Sequence, residues 1–296
     1  IFNIGNMENS GVEYAVKYRH KGKATGFNWN VAATYTQNNN IVTKTSLSNP
    51  LIRLDNSHIS SKNGASAEDV SVITEGHEAA SFFLRETIGV IKTAEQLADY
   101  QANTDPTARM GELMYKDQNG DGVIDDQDQI YMGSGTPDFE VGLNFSANYK
   151  RFDFSMQWYG SFGAEIMNGS KAYAYQSGTH KDLFYSWTVN NPTSNIPWND
   201  GANSKSYRGA SDYFMEDGTY VRLRNVQLGY SFAKKVLERI GASRLRLYVQ
   251  AQNPVTFTKY TGIDPEVGNN GLSTRGIDAG RYPISSQYKL GLQFQF

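Results

Sequence analysis

Residues 139–162 read FEVGLNFSANYKRFDFSMQWYGSF. In the first half, Phe139, Val141, Leu143, Phe145, Ala147 and Tyr149 alternate with Glu140, Gly142, Asn144, Ser146 and Asn148. In the second, Phe152, Phe154, Met156 and Trp158 alternate with Asp153, Ser155, Gln157 and Tyr159. A period of two places one set on each face of a strand. Lys150 and Arg151 leave room only for a tight turn, so the stretch predicts an antiparallel hairpin. Its arms exceed the common soluble strand of about 5–6 residues. They match the roughly 9–11 residues that carry a tilted strand across a bilayer.

The same period recurs in VEYAVKYRH (12–20), FNWNVAATYTQ (27–37), RLRLYVQAQN (244–253) and QYKLGLQFQF (287–296). TYVRLRNVQLGYSF (219–232) keeps it but changes phase near Asn225, which predicts a bulge. SFFLRETIGV (81–90) alternates more weakly and is read as a further strand. About eight strands result. Tyr18, Tyr35, Tyr149, Trp158 and Tyr230 fall near strand ends, as interfacial aromatics do. Connections 150–151 and 232–243 are short, whereas 161–218 and 254–286 are long. Short turns at one end and long loops at the other are the pattern of an outer-membrane barrel. By that parity residues 38–81 fall among the short turns, where their length does not fit.

Composition agrees. The 296 residues include 19 Tyr, 15 Phe, 4 Trp and 28 Gly but only 8 Pro. With no Cys, thiol catalysis, disulfides and thiolate metal sites are excluded. A formal net charge of −2 gives no global reason to bind nucleic acid. No run of about 18 apolar residues is present, so no helix is expected to span a membrane; alternating strands are not subject to that test. The fold expected is all-β, an antiparallel transmembrane barrel. About eight strands would close a barrel too narrow for Glu13, Lys17, Arg19, Arg244, Arg246 and Lys289 to line its interior, so the wall should belong to a larger barrel. The alternative is a soluble β-sandwich with one wet face.

Residues 117–128, DQNGDGVIDDQD, carry the spacing of a calcium loop. Asp117, Asn119, Asp121, Val123 (through its carbonyl), Asp125 and Asp128 occupy positions 1, 3, 5, 7, 9 and 12, with Gly122 at 6. The departure is Asp rather than Glu at position 12. Oxygen donors without nitrogen or sulfur favour Ca²⁺ over Zn²⁺. The flanks do not read as amphipathic helices, so a structural staple is expected rather than a sensor. The bland reading is a solvated Asp/Gly turn. Thr93 and Gln96 form a capping-box pattern for a short surface helix. No catalytic motif is present. Glu75/Glu78 and Asp264/Glu266 are acid pairs of the kind glycosidases use, but loop carboxylates are far commoner than catalytic ones, and no enzyme is expected. In the loop 161–218, Tyr173, Tyr175, Tyr185, Trp187 and Trp198 could stack on sugar rings or pack against peptides, or equally hold the loop together. Arg222, Arg224, Arg244, Arg246 and Lys289 are expected on the wet face of the wall.

Several stretches, in order, resemble one family, the SusC/RagA-type TonB-dependent outer-membrane transporters of Bacteroidetes. NIGNMENSGVEYAV (3–16) resembles its N-x-G-x-x-x-N-x-G-V-E strand entry. TEGHEAASFFLRETIGV (74–90) resembles its E-G-x-P-x-G segment, with His77, Glu78 and Ala79 departing from it. The D-x-N-G-D-G-x-I-D loop, the hairpin at 139–162, DGTYVRLRNVQLGYSF (217–232) and RLRLYVQAQNPVTFTKYTGIDPEV (244–267) follow the family's order. The closing YKLGLQFQF, ending in Phe296, resembles a barrel-assembly signal. The resemblance implies the C-terminal third of such a transporter, the closing strands of its 22-stranded barrel, without plug, TonB box or signal peptide in this chain, and it implies that Arg222, Arg224, Arg244, Arg246 and Lys289 meet plug carboxylates or water. It implies long extracellular loops at 90–138, 161–218 and 254–286. It also implies TonB-energised import of oligosaccharides or oligopeptides through the bacterial outer membrane, with a SusD-like lipoprotein as lid. The alternatives are a TonB-dependent siderophore or cobalamin receptor and a soluble calcium-binding β-sandwich adhesin.

Overall fold

The computed structural model describes residues 5–22, 26–45, 50–59, 68–199, 206, 210–267 and 271–296. The chain begins with a long hairpin, β1 (Asn6–His20) and β2 (Phe27–Lys44). A first excursion then carries six short strands: β3 (Leu51–Arg53), β4 (Ser71–Thr74), β5 (Ser81–Arg85), β6 (Thr87–Val90), β7 (Leu113–Tyr115) and β8 (Gln129–Ser134). Helix α1 (Ala94–Asn103) lies between β6 and β7. The hairpin read at 139–162 is β9 (Phe139–Tyr149) and β10 (Phe152–Phe162). A second excursion holds β11 (Glu165–Met167), α2 (Gly169–Gln176) and β12 (Met215–Asp217). Then come β13 (Tyr220–Ser231), α3 (Lys234–Arg239), β14 (Arg244–Thr258) and, after a third excursion, β15 (Gln287–Gln295).

Seven strands form one antiparallel wall in the order β1-β2-β9-β10-β13-β14-β15. The hairpin pairs as its alternation requires, with Phe152 opposite Tyr149, and Lys150 takes the turn at φ 56°. Val12, Tyr14 and Val16 of β1, Leu228 of β13, and Leu290 and Leu292 of β15 lie exposed on the outer face. The inner face is polar: Asn30 Nδ2 donates to Ser146 Oγ across β2 and β9 at 2.6 Å.

The expected bulge is present. Against β14 the register slips between Leu223 and Asn225, and against β10 between Gln157 and Trp158. Against β10 Arg224 is the extra residue, while on the other side it faces two residues of β14, Asn253 and Pro254; the slip brings both Arg224 and Asn225 to the inner face. Nearby, Arg246 of β14 crosses β13 to reach Asp153 of β10 through Nε, at 2.9 Å, and through Nη2. The crossing is possible because Gly229 lies beneath it. A Cβ at that position would meet the Arg246 guanidinium and both Asp153 carboxylate oxygens.

Two expectations are corrected. SFFLRETIGV is not a wall strand: β5 pairs with β4 and β8 in a separate four-stranded sheet, and β6 pairs with β7. The wall therefore has seven strands rather than about eight, and removing one strand reverses the parity assigned to 38–81. Residues 38–44 complete β2, and the excursion 45–138 leaves the same end of the wall as 163–219 and 259–286. Residues 46–49 and 60–67 of it lie outside the described residues. The segment 90–138 is part of this longer excursion. At the opposite end only 21–26, 150–151 and 232–243 connect strands, the last carrying α3. No described helix is long and apolar enough to cross a membrane, which says nothing about strands.

Neighbouring residues on β13 test the two-faced wall. Leu228→Lys, on the outer face, is expected to lower the unfolding free energy in lipid by about 2–4 kcal/mol. Gln227→Lys, on the inner face, should change it by about 0.5 kcal/mol or less. Urea titration of the full-length protein in vesicles measures both, and equal effects would remove the lipid-facing assignment.

Candidate functional site in the loop assembly

The three excursions pack into one body. Val70, Phe82 and Leu84 from the first, Met167 and Ala210 from the second and Ile277 from the third form a shared buried cluster. Backbones touch where glycines permit it. Gly276, at φ 68°, lies against Gly135, and Gly169 lies against the carbonyls of Ile59 and Asp278. Met167 N donates to Gly276 O at 2.8 Å and Asp278 N to Met167 O at 3.0 Å.

The assembly is fastened to the wall by charge. Arg222 of β13, 3% exposed, donates Nη2 to Asp264 Oδ1 at 2.6 Å, Nη1 to Glu266 Oε2 at 2.9 Å and Nε to Thr256 Oγ1 at 2.8 Å. Arg224 reaches the same Glu266 oxygen at 2.9 Å. Asp264 also accepts the backbone N–H of Glu266 and, through Oδ2, that of Ile284. Burial opposes its charge, but these amides and Arg222 hold its carboxyl below the usual range. The acid pair 264/266 is thus engaged in ion pairs. Arg222 and Arg224 meet loop carboxylates of their own chain, and Arg246 meets Asp153, where plug or water contacts were expected. Lys289 donates to Gln252 Oε1 at 3.2 Å. The other acid pair is also engaged, Glu75 with the Thr45 amide and Glu78 with the Tyr131 hydroxyl.

The calcium-like stretch forms one tight turn. Asp117 accepts the N–H of Gly120 and, through its second oxygen, that of Gly122 at 2.7 Å, and these amides lower its pKa. Asn119 and Asp121 bond each other, Asp121 accepts Val123 N, and Asp125 accepts Gln127 N. Asp128, fully buried, accepts Gln118 N and Asp125 N. The acidic side chains at these positions are turned to the amides of the loop itself. Among the described residues, no three acidic or histidine side chains converge tightly enough to hold an ion as they stand.

The loop's nearest cation is Arg85, to which no motif pointed. It donates Nε to the Asp125 carbonyl at 3.1 Å, Nη2 to Asp126 at 3.1 Å and Nη1 to Glu68 at 2.6 Å. Arg53 adds a contact to Asp126 at 3.3 Å. The partners lie 17 to 41 residues from Arg85 in sequence, so no local pattern signals them.

The aromatic candidates divide. Tyr175, 2% exposed, packs on Phe214 and bonds Asp182, and Trp187, 8% exposed, packs with Val90 and Leu113. These two hold the assembly together. Trp198 packs beside Trp187 under the Arg109 guanidinium, 5.0 Å from its ring centre. Tyr173 and Tyr185 remain exposed, as does the neighbouring Phe184. The predicted cap is present: Thr93 Oγ1 accepts Gln96 N at 3.1 Å, and the Gln96 side chain returns the bond to Thr93 N.

A cavity of about 100 Å³ lies where wall and loops meet, with Glu140, Tyr159, Glu165 and Glu266 in its lining. Burial, then the charges of Asp217 and Asp138, push the Glu165 carboxyl up to about 7. Near neutral pH it therefore exchanges between hydrogen-bond donor and acceptor.

A wall apolar outside and polar inside, with short turns at one end and a folded loop body at the other, is part of a membrane β-barrel. The chain is 31% identical over 312 residues to TonB-dependent receptor P3 of Formosa agariphila, covering 100% of this chain and 29% of that protein. It is 30% identical over 308 residues to TonB-dependent receptor SusC of Bacteroides thetaiotaomicron, covering 99% of this chain and 27% of that one. Its fold superposes on the solved RagAB peptide transporter with a TM-score of 0.75 at 21% identity, over 99% of this chain and 30% of that one. No protein-family model matches. The chain belongs to the SusC/RagA-type TonB-dependent receptors and forms the C-terminal portion of their barrel. It spans less than a third of the length of these relatives.

Arg222→Met is expected to leave Asp264 and Glu266 short of their partner and cost about 3–5 kcal/mol. In limited proteolysis of the full-length protein, cuts should appear within 259–286 while the wall strands stay protected. An unchanged cleavage pattern would show that the cluster does not hold the loop.

Proposed function

We propose that the chain supplies the closing wall and part of the outer vestibule of a bacterial outer-membrane importer energised through TonB, taking up oligosaccharides or oligopeptides. The observation that carries this reading is the asymmetry of the wall. One end is finished with short turns, and the other bears a loop body with its own core and polar cavities. Receptors of this family make the reading specific, since the relatives are named as TonB-dependent receptors and not as enzymes. On this reading the loop end faces outward, toward a SusD-like lipoprotein lid, and a plug outside this chain transmits the energy. The test expresses the full-length tagged protein in a Bacteroidetes host. A surface lipoprotein should co-purify, and uptake of labelled oligosaccharide or oligopeptide should stop when TonB is deleted. Uptake of a ferric siderophore alone, with no lipoprotein recovered, would replace this reading with a siderophore receptor.

Within that role the turn 117–128 is proposed as a Ca²⁺ staple of the loop body. Its donors are oxygens, Asp117 is already poised by two amides, and five carboxylates crowd one turn against Arg85 and Arg53. An ion would have to draw Asp121 and Asp125 from their amide partners. Millimolar Ca²⁺ should raise the melting temperature of the full-length protein and protect 117–128 from proteolysis, and a chelator should reverse both. Identical melting and cleavage with and without chelator would discard the staple.

A further inference from the structure

A cavity of about 320 Å³ lies at the loop end of the wall, between the tips of β1 and β2 and the loop assembly. It sits at the low end of ligand-sized clefts, roughly 300–1,000 Å³. Val42 enters from the inner face of β2, Ile52 and Ile73 face each other across β3 and β4, and Met7, Ala79 and Leu272 extend a mostly apolar lining, to which Asn6, Asn40 and Thr45 add polar groups. Two cations also line it, Lys44 and Arg275, and among the described residues no carboxylate does. The nearby Glu75 is turned to the Thr45 amide, 2.7 Å away.

Arg275 is positioned rather than loose. It precedes Gly276, whose positive φ and close approach to Gly135 fix the backbone, and the Met167 amide holds the Gly276 carbonyl. One arm of its fork, Nη1, donates to Thr136 Oγ1 at 3.2 Å. Arg275 also lines a second cavity of about 260 Å³ beside Thr36 and Asn38. There one acid, Glu140, shares the wall, and the Tyr159 hydroxyl holds it. The first cavity therefore has the excess of positive charge.

We propose that this cavity is a subsite for the C-terminal residue of a peptide cargo. The apolar side chain would pack on Val42, Ile52 and Ile73, and the free carboxylate would meet Lys44 and the open edge of Arg275. The chemistry selects this class. A planar carboxylate matches the guanidinium fork. A mostly apolar lining with two cations is poorly answered by a neutral sugar: Asn40 and Thr45 are already engaged with their own chain, so most of its hydroxyls would face carbon and the cations would stay unmatched. The inference rests on the import reading above and chooses between its two cargo classes.

The test uses the full-length transporter with its co-purified lipoprotein, titrated by calorimetry with the peptide Gly-Gly-Ala-Leu and with its C-terminal amide. The acid should bind about tenfold more tightly than the amide. Arg275→Gln should abolish that preference and leave amide binding unchanged. Lys44→Gln, which leaves the Thr136 contact in place, should reduce the preference and guards against misfolding of the first variant. Equal binding of acid and amide by the wild type, or a preference retained in both variants, overturns the subsite. A transporter that imports oligosaccharides under TonB and binds neither peptide also overturns the subsite, while the import reading stands.

Discussion

Inside a hydrocarbon layer no water can satisfy a backbone amide, so each N–H and C=O must find a partner in the protein. This constraint orders the rest of the molecule. It explains why the wall strands are long and paired along their length, and why irregular backbone is confined beyond their ends. It also bears on the two outer strands. Among the described residues β1 and β15 each have one neighbour in the sheet. An unpaired edge cannot face lipid, so further strands must continue the wall on both sides. That requirement agrees with a chain that covers less than a third of its relatives.

Beyond the strand ends a different physics applies. The loop body can use water, so it is built as a small soluble fold, with short sheets, a capped helix and a core assembled from all three excursions. Joining such a body to a membrane wall calls for contacts that tolerate the wet inner face. Arg222 and Arg224 supply them, since a long side chain with a planar fork can rise from the wall and pair with the acids of the loop, Arg222 with two of them. Ion pairs of this kind are costly to half-remove, because the remaining charge stays partly buried. They therefore contribute more to holding one arrangement than to raising overall stability.

The wall was legible because its cause is local. Alternation at 139–162, 12–20 and 287–296 follows directly from one face in lipid and one in water, and the phase change near Asn225 marked the bulge at Arg224. The loop body was much less legible. SFFLRETIGV has strand composition and partial alternation, but a short strand of a soluble sheet has these too. The discriminating signal was length: β5 ends at Arg85, after five residues. The shared core unites residues 70, 82, 84, 167, 210 and 277, and nothing in any one segment announces that meeting. Composition marked the aromatics at 173–198 as candidates but could not separate the buried Tyr175 and Trp187 from the exposed Tyr173 and Tyr185. Burial is a property of the assembly, not of the residue type.

The acidic turn shows how the two levels connect. Its five carboxylates repel one another, and Arg85 and Arg53 offset only part of that charge. The turn nonetheless stays closed, since backbone amides hold Asp117 and Asp128 from both sides. Asp128 leads without a break into β8, and β8 leads into Gly135 and Thr136. Gly135 abuts Gly276, and Thr136 holds the Arg275 guanidinium. A closed turn at 117–128 therefore sets one end of the strand whose other end places Arg275. A guanidinium already aimed at its cavity loses little freedom when an anion arrives, and binding is tighter by the ordering that has already been done.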